Sequence, residues 1–94
     1  MDKTDEVVKP QSRAELRAIL LDIVADQLAM TDEKKAEVKD DSDLVAGLGA
    51  DSLDVVETLS TTEEKLGIEI PDEDTRKIKT FGDFVNTVAK ILGL

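Results

Sequence analysis

The sequence predicts a small all-α domain, and three observations carry that prediction. Apolar residues recur at helical rather than alternating spacing, as in Leu16, Ile19, Leu20, Ile23, Val24 and Leu28. Segments of this kind open on residues that favour helix starts: Ser12, Thr31, Asp51 or Ser52, and Thr80. Only one extended segment interrupts them, the short Ile68–Ile70 run closed by Pro71. The expected architecture is a bundle of three main helices with shorter ones between them and one long crossover loop.

The 94 residues fit a single domain, expected at 12–94 behind a flexible tail at 1–11. Ser12-Arg-Ala-Glu15 has the form of a capping box, so the first helix is expected over about 13–29. Residues 30–50 connect it to the next main helix. Thr31 can cap a short helix through Val38, Asp40-Asp-Ser-Asp43 is a turn cluster, and Leu44, Val45 and Leu48 are expected to tie the connection to the core. The second main helix starts at Asp51 or Ser52 and ends near Leu66, with Gly67 supplying the left-handed residue that closes it. Its expected inward stripe is Leu53, Val56, Leu59 and Leu66, interrupted by Thr58, Ser60, Thr61 and Thr62. Pro71 is expected at the first position of a short helix over 72–77. Thr80-Phe-Gly-Asp83 is a second capping box, opening a last helix whose stripe is Phe84, Val85, Val88, Ile91 and Leu92.

Composition excludes much chemistry. The chain has no histidine and no cysteine. A Ser-His-Asp nucleophile, a His/Cys zinc site and a disulfide are therefore ruled out, and no catalytic residue is expected. A net charge of −10 repels nucleic acid and anionic lipid and favours basic protein surfaces. No apolar run reaches the roughly 18 residues of a spanning segment, and the N-terminus has no signal-peptide character. The expectation is a cytoplasmic monomer that contacts neither nucleic acid nor membrane. Asp41 and Asp43 begin a calcium-loop pattern, but Val45, Ala46 and Ser52 break it at the third ligand, the glycine and the bidentate acid. No metal site is expected.

The most informative stretch is Leu48-Gly-Ala-Asp-Ser-Leu-Asp-Val-Val-Glu57. Its glycine turn leads into a helix start that presents Ser52 within a collar of Asp51, Asp54 and Glu57. From Asp51 to Asp74 there are nine acids and one lysine, so most of the net charge sits around this serine. Taken alone, an Asp-Ser pair is a helix cap and a charge run is a solvated face. Their coincidence points to a serine modified by another protein and to a docking surface for basic partners.

These residues, with Glu63-Glu-Lys-Leu-Gly67 and Ile68-Glu-Ile-Pro-Asp-Glu-Asp74, resemble the acyl carrier proteins of type II fatty acid and polyketide synthesis over about 13–94. The resemblance implies a four-helix bundle with a long first loop and a short third helix. It implies that Ser52, flanked by Asp51 and Leu53, receives 4′-phosphopantetheine from a phosphopantetheinyl transferase that uses coenzyme A and magnesium. The arm's thiol would then carry acyl groups for acyl-transferring and chain-elongating enzymes with basic docking patches. It implies docking through Asp54, Glu57, Glu63, Glu64, Ile70 and Asp72, and an acyl pocket drawn from Leu44, Thr58, Leu59, Thr62 and Ile70. The chain departs from the family's usual Phe at Leu44, acids at Ala46 and Gly47, and apolar residues at Thr58, Ser60 and Thr62. These departures imply a specialised carrier with an altered pocket. An unmodified helical adaptor, an acidic ion-binding protein and a carrier of aminoacyl groups remain alternatives at this stage.

Overall fold

Ser12 begins the first helix, α1 (Arg13–Gln27), by accepting a hydrogen bond from the Glu15 N–H at 3.2 Å. The Glu15 carboxylate reaches back to the Gln11 N–H at 2.9 Å, one residue beyond the expected capping-box partner. The computed structural model describes residues 7–94. Residues 1–6 of the expected tail lie outside the described residues. Val8 donates its N–H to the Lys65 carbonyl at 2.9 Å and packs against the core, so the chain is held at that point.

Among the described residues there are five helices and no strand: α1, α2 (Asp32–Ala36), α3 (Ser52–Leu66), α4 (Asp72–Thr75) and α5 (Phe81–Leu92). The all-α expectation holds, with α2 as the short helix capped by Thr31. Pro71 stands at the N-cap of α4, one position before the one expected. There its carbonyl accepts the N–H groups of Asp74 and Thr75 while its own missing N–H costs nothing.

α1 packs on both α3 and α5. Leu16, Leu20 and Val24 of α1 meet Phe81, Phe84 and Val88 of α5, all six essentially inaccessible to solvent. Phe81 and Phe84 meet edge-on, with ring centroids 6.5 Å apart and planes at 70°. The Arg17 guanidinium lies 5.1 Å from the Phe81 ring centre.

The crossover between α2 and α3 is stitched to the start of α5. Leu44 donates to the Lys79 carbonyl at 3.0 Å, Phe81 to Ser42 at 2.9 Å, and Gly82 to Asp40 at 2.7 Å. A side chain at Gly82 would sit 2.8 Å from the Asp40 oxygen, which explains glycine there. Within the loop, Asp43 Oδ1 accepts the N–H groups of Val45 and Ala46, and the Asp43 carbonyl accepts those of Gly47 and Leu48. Of the three residues expected to tie the loop to the core, Leu44 is buried and Leu48 half-buried. Val45 turns outward, 55 % exposed, because the turn built on Asp43 points it to solvent.

The inward face of α3 also differs from the expected stripe. Leu53 and Val56 are 62 % and 60 % exposed, while Thr58 and Thr62 are buried. The helix is rotated relative to the pattern, so Val55, Thr58, Leu59, Thr62 and Leu66 turn towards the core. Thr62 satisfies its hydroxyl by donating to the Thr58 carbonyl at 2.8 Å, which removes most of the cost of burying it.

Two predictions follow from the helix ends. α1 closes with Ala29 at φ 52, a left-handed conformation that an alanine side chain resists. Ala29→Gly is expected to raise unfolding free energy by about 0.5–1 kcal/mol, measured as a higher urea midpoint at unchanged slope. At α5, hydrogen bonds from the Thr80 N–H and then the Lys79 N–H hold the Asp83 carboxyl below its ordinary 3.8. This stability is complete above that value and is lost as pH falls through the lower folded value. Asp83→Asn should therefore cost about 1 kcal/mol near neutral pH, with the gap from wild type closing in strong acid.

Candidate functional site

The site is organised by a reciprocal cap at the start of α3. Asp51 Oδ1 accepts the Asp54 N–H at 2.8 Å, and Asp54 Oδ2 accepts the Asp51 N–H at 3.2 Å. This box leaves Ser52 at the first helical position, exposed and not needed as the cap. The four serines differ in this respect. Ser12 and Ser42 each use Oγ to hold a backbone N–H, from Glu15 and Lys39. Ser60 lies on the middle turns of α3. Ser52 alone combines exposure, an uncommitted hydroxyl among the described hydrogen bonds, and the positive end of a 15-residue helix. Gly49, at φ 82, turns the chain into this position, and the buried Ala50 donates to the Leu44 carbonyl at 3.0 Å.

An added phosphodiester fits here on two grounds. Ser52 lies at the N-terminal end of α3, where the helix dipole favours an anion, and nothing covers its side chain. The neighbouring acids work against that anion, but the cap holds both of them. Asp54 is drawn further into the structure by Gln27 of α1, whose Nε2 donates to Asp54 at 3.3 Å and to Glu57 at 2.7 Å. Gln27 thereby ties α1 to the serine end of α3, a role that its place at the end of an apolar stripe did not signal.

The six expected docking residues divide into two groups. Glu57, Glu64 and Asp72 are exposed. Asp54 and Glu63 are half-buried and, like Glu57, already bonded, and Ile70 is 7 % exposed. Glu63 Oε2 accepts the Ile70 N–H at 2.7 Å, which clamps the connection after α3 back onto that helix. Beside this clamp lies a groove of about 340 Å³, lined by Val56, Leu59, Glu63, Ile70 and Asp72 among others. The exposed Leu53 and Val56 share the outer face with Glu57 and Glu64. The sequence pattern had assigned both apolar residues to the core.

The acyl-pocket candidates are divided as well. Leu44, Thr58 and Leu59 line one apolar pocket together with Val24, Leu28 and Phe84. Thr62 and Ile70 are not part of it: Thr62 lies deeper in the core and Ile70 lines the groove beside α4. No cluster of three or more metal-ligating side chains occurs among the described residues, and no described helix is long and apolar enough to cross a membrane.

Comparison with known proteins supplies the family. Residues 18–88 match the model of the phosphopantetheine attachment site. The acyl carrier protein of Wolinella succinogenes is 51% identical over 67 residues, covering 71% of this chain and 84% of that protein. That of Clostridium acetobutylicum is 45% identical over 67 residues, 71% of this chain and 83% of the relative. That of a Sulfurovum species is 44% identical over 70 residues, 74% and 89% respectively.

The clamp after α3 gives a direct prediction. Glu63→Ala should speed amide hydrogen exchange at Ile70 by about tenfold, as expected for losing a hydrogen bond to a charged group worth roughly 1.5 kcal/mol. Exchange in the middle of α1 should change little by comparison.

Proposed function

The chain belongs to the acyl carrier protein family, and from that premise we propose that Ser52 is its point of modification and that the outer face of α3 is its docking surface. The cofactor of the family is covalent 4′-phosphopantetheine, whose thiol holds acyl groups as thioesters and so supplies the sulfur that a cysteine-free chain lacks. The protein is a carrier and not a catalyst. The observation that supports Ser52 is the Asp51–Asp54 box, which does the capping and leaves the serine hydroxyl available.

Modification at Ser52 joins its Oγ to the pantetheine-side phosphorus of coenzyme A, breaks that phosphorus's bond to the bridging pyrophosphate oxygen with release of adenosine 3′,5′-bisphosphate, and frees the serine proton. The chain has no histidine to take that proton, and the two nearest acids are engaged in the cap. The base therefore belongs to a separate phosphopantetheinyl transferase that uses coenzyme A. The acids then act as an address. Glu57, Glu64 and Asp72 present charge, while Leu53 and Val56 offer apolar area to bury. This combination suits enzymes with a basic rim around an apolar depression, as expected of acyl-transferring and chain-elongating partners. The setting is the cytoplasm and the route is fatty acid synthesis or a related lipid or polyketide pathway.

Incubation with a phosphopantetheinyl transferase and coenzyme A tests the attachment site. Wild type should gain the mass of one phosphopantetheine and Ser52→Ala none. An unmodified wild type, as an adaptor would give, or a modified Ser52→Ala would overturn the assignment. For docking, Glu57→Lys should slow association with the transferase severalfold in stopped flow, whereas Glu33→Lys on α2 should not. Salt should erase the difference as the screening length falls below about 10 Å. Association indifferent to both salt and Glu57 would rule out the charged docking face.

A further inference from the structure

The apolar pocket between α1, α3 and α5 has a mouth and a floor. Leu28 and Val55 are half-buried and form its outer part. Val24 and Phe84, 2 % and 0 % exposed, form its inner end. Its free space is about 10 Å³, room for one water at most. An acyl chain entering it must displace a wall, and the walls differ in how firmly they are held.

The α5 wall is braced from behind. Phe84 meets Phe81 edge-on, and Arg17 lies over the Phe81 ring. The start of α5 is fixed by the Phe81–Ser42 and Gly82–Asp40 backbone hydrogen bonds and by its own capping box. Gly82 already lies as close to the loop as its backbone permits. The opposite wall is α3, whose described side-chain tie to α1 near this pocket is Gln27, at the solvent-facing end. The floor is thus the more heavily braced end of the pocket.

We infer that Phe84 is a specificity-determining residue: it stops the acyl chain at the bottom of this pocket and restricts full sequestration to short chains. The inference rests on the proposed attachment at Ser52 and adds to it a length limit. A chain grows into apolar surroundings until its end meets the Phe84 ring. Further methylenes must then overpack a braced aromatic pair or remain in water, and neither improves protection.

The test uses the full chain loaded by a transferase from acyl-coenzyme A carrying butyryl to dodecanoyl groups. Intact mass first verifies one acyl-pantetheine per chain, so a failure of the Ser52 reading appears at that step and would remove the inference with it. Resistance of the thioester to hydroxylamine is then read against chain length. In wild type it should rise by up to about fourfold per methylene, equivalent to ~0.8 kcal/mol, over the shorter chains and then stay flat before decanoyl. The methyl resonances of Val24 and Leu28 should shift over the same range and then stop. Phe84→Leu should move the plateau to a longer chain than in wild type, and Phe84→Ala, if it folds, further still. Protection that climbs through decanoyl in wild type would overturn the inference. A plateau unchanged in a folded Phe84→Leu would do so as well.

Discussion

The stitch between residues 40–44 and the start of α5 is the constraint on which the rest of the structure depends. Three backbone hydrogen bonds, from Leu44, Phe81 and Gly82, convert a long connection into one edge of the bundle. A loop of this length inside a small domain would otherwise carry a large ordering cost for little burial. The stitch puts Leu44 in the core, from where its carbonyl anchors Ala50, and Ala50 leads directly into the cap of α3. It also holds α5 so that the two phenylalanines meet edge-on beneath the pocket. The exposed serine and the closed pocket floor are thus two consequences of one set of backbone bonds.

Charge on this protein is divided between structure and surface. Asp51 and Asp54 build the cap of α3, Glu63 holds the Ile70 N–H, and Asp83 completes the box that Thr80 begins at α5, each working locally on backbone groups. Glu57, Glu64 and Asp72 remain at the surface around Leu53 and Val56. The same acidic block therefore contains residues bonded into the fold, Glu57 through Gln27 among them, and residues such as Glu64 and Asp72 that stand exposed at the surface. A domain of this size has little stability to spare, which makes that division important for reading any substitution in the block.

Helix ends were legible in the sequence because capping is local. Ser12, Thr31, Thr80 with Asp83, and Gly67 announce themselves within four residues of the group they satisfy, whereas the choice of Asp51 over Ser52 as cap needed the Asp51–Asp54 bonds of the structure. The facing of α3 was not legible, because its pattern is ambiguous. Leu53 and Val56 looked like core, and Thr58 and Thr62 looked like interruptions. The outcome turned on packing against α1 and on one hydroxyl finding the Thr58 carbonyl. Long-range ties were equally invisible: nothing local links Gln27 to Glu57, Glu63 to Ile70, or Gly82 to Asp40. For the site, this meant that the serine and its acids were readable by motif. The exposed apolar pair beside them, and Phe84 beneath the pocket, required the third dimension.

The chain contributes position, charge and a pocket, and takes its reactive sulfur from a group it does not make. That account depends most on Ser52 being the one serine that folding leaves both uncommitted and at the start of a helix. Tandem mass spectrometry of the protein purified from its own cells tests this most directly. The account predicts a phosphopantetheine-derived mass on the peptide containing Ser52, with Ser12, Ser42 and Ser60 unmodified. A modification mapped to any of those three instead would contradict it.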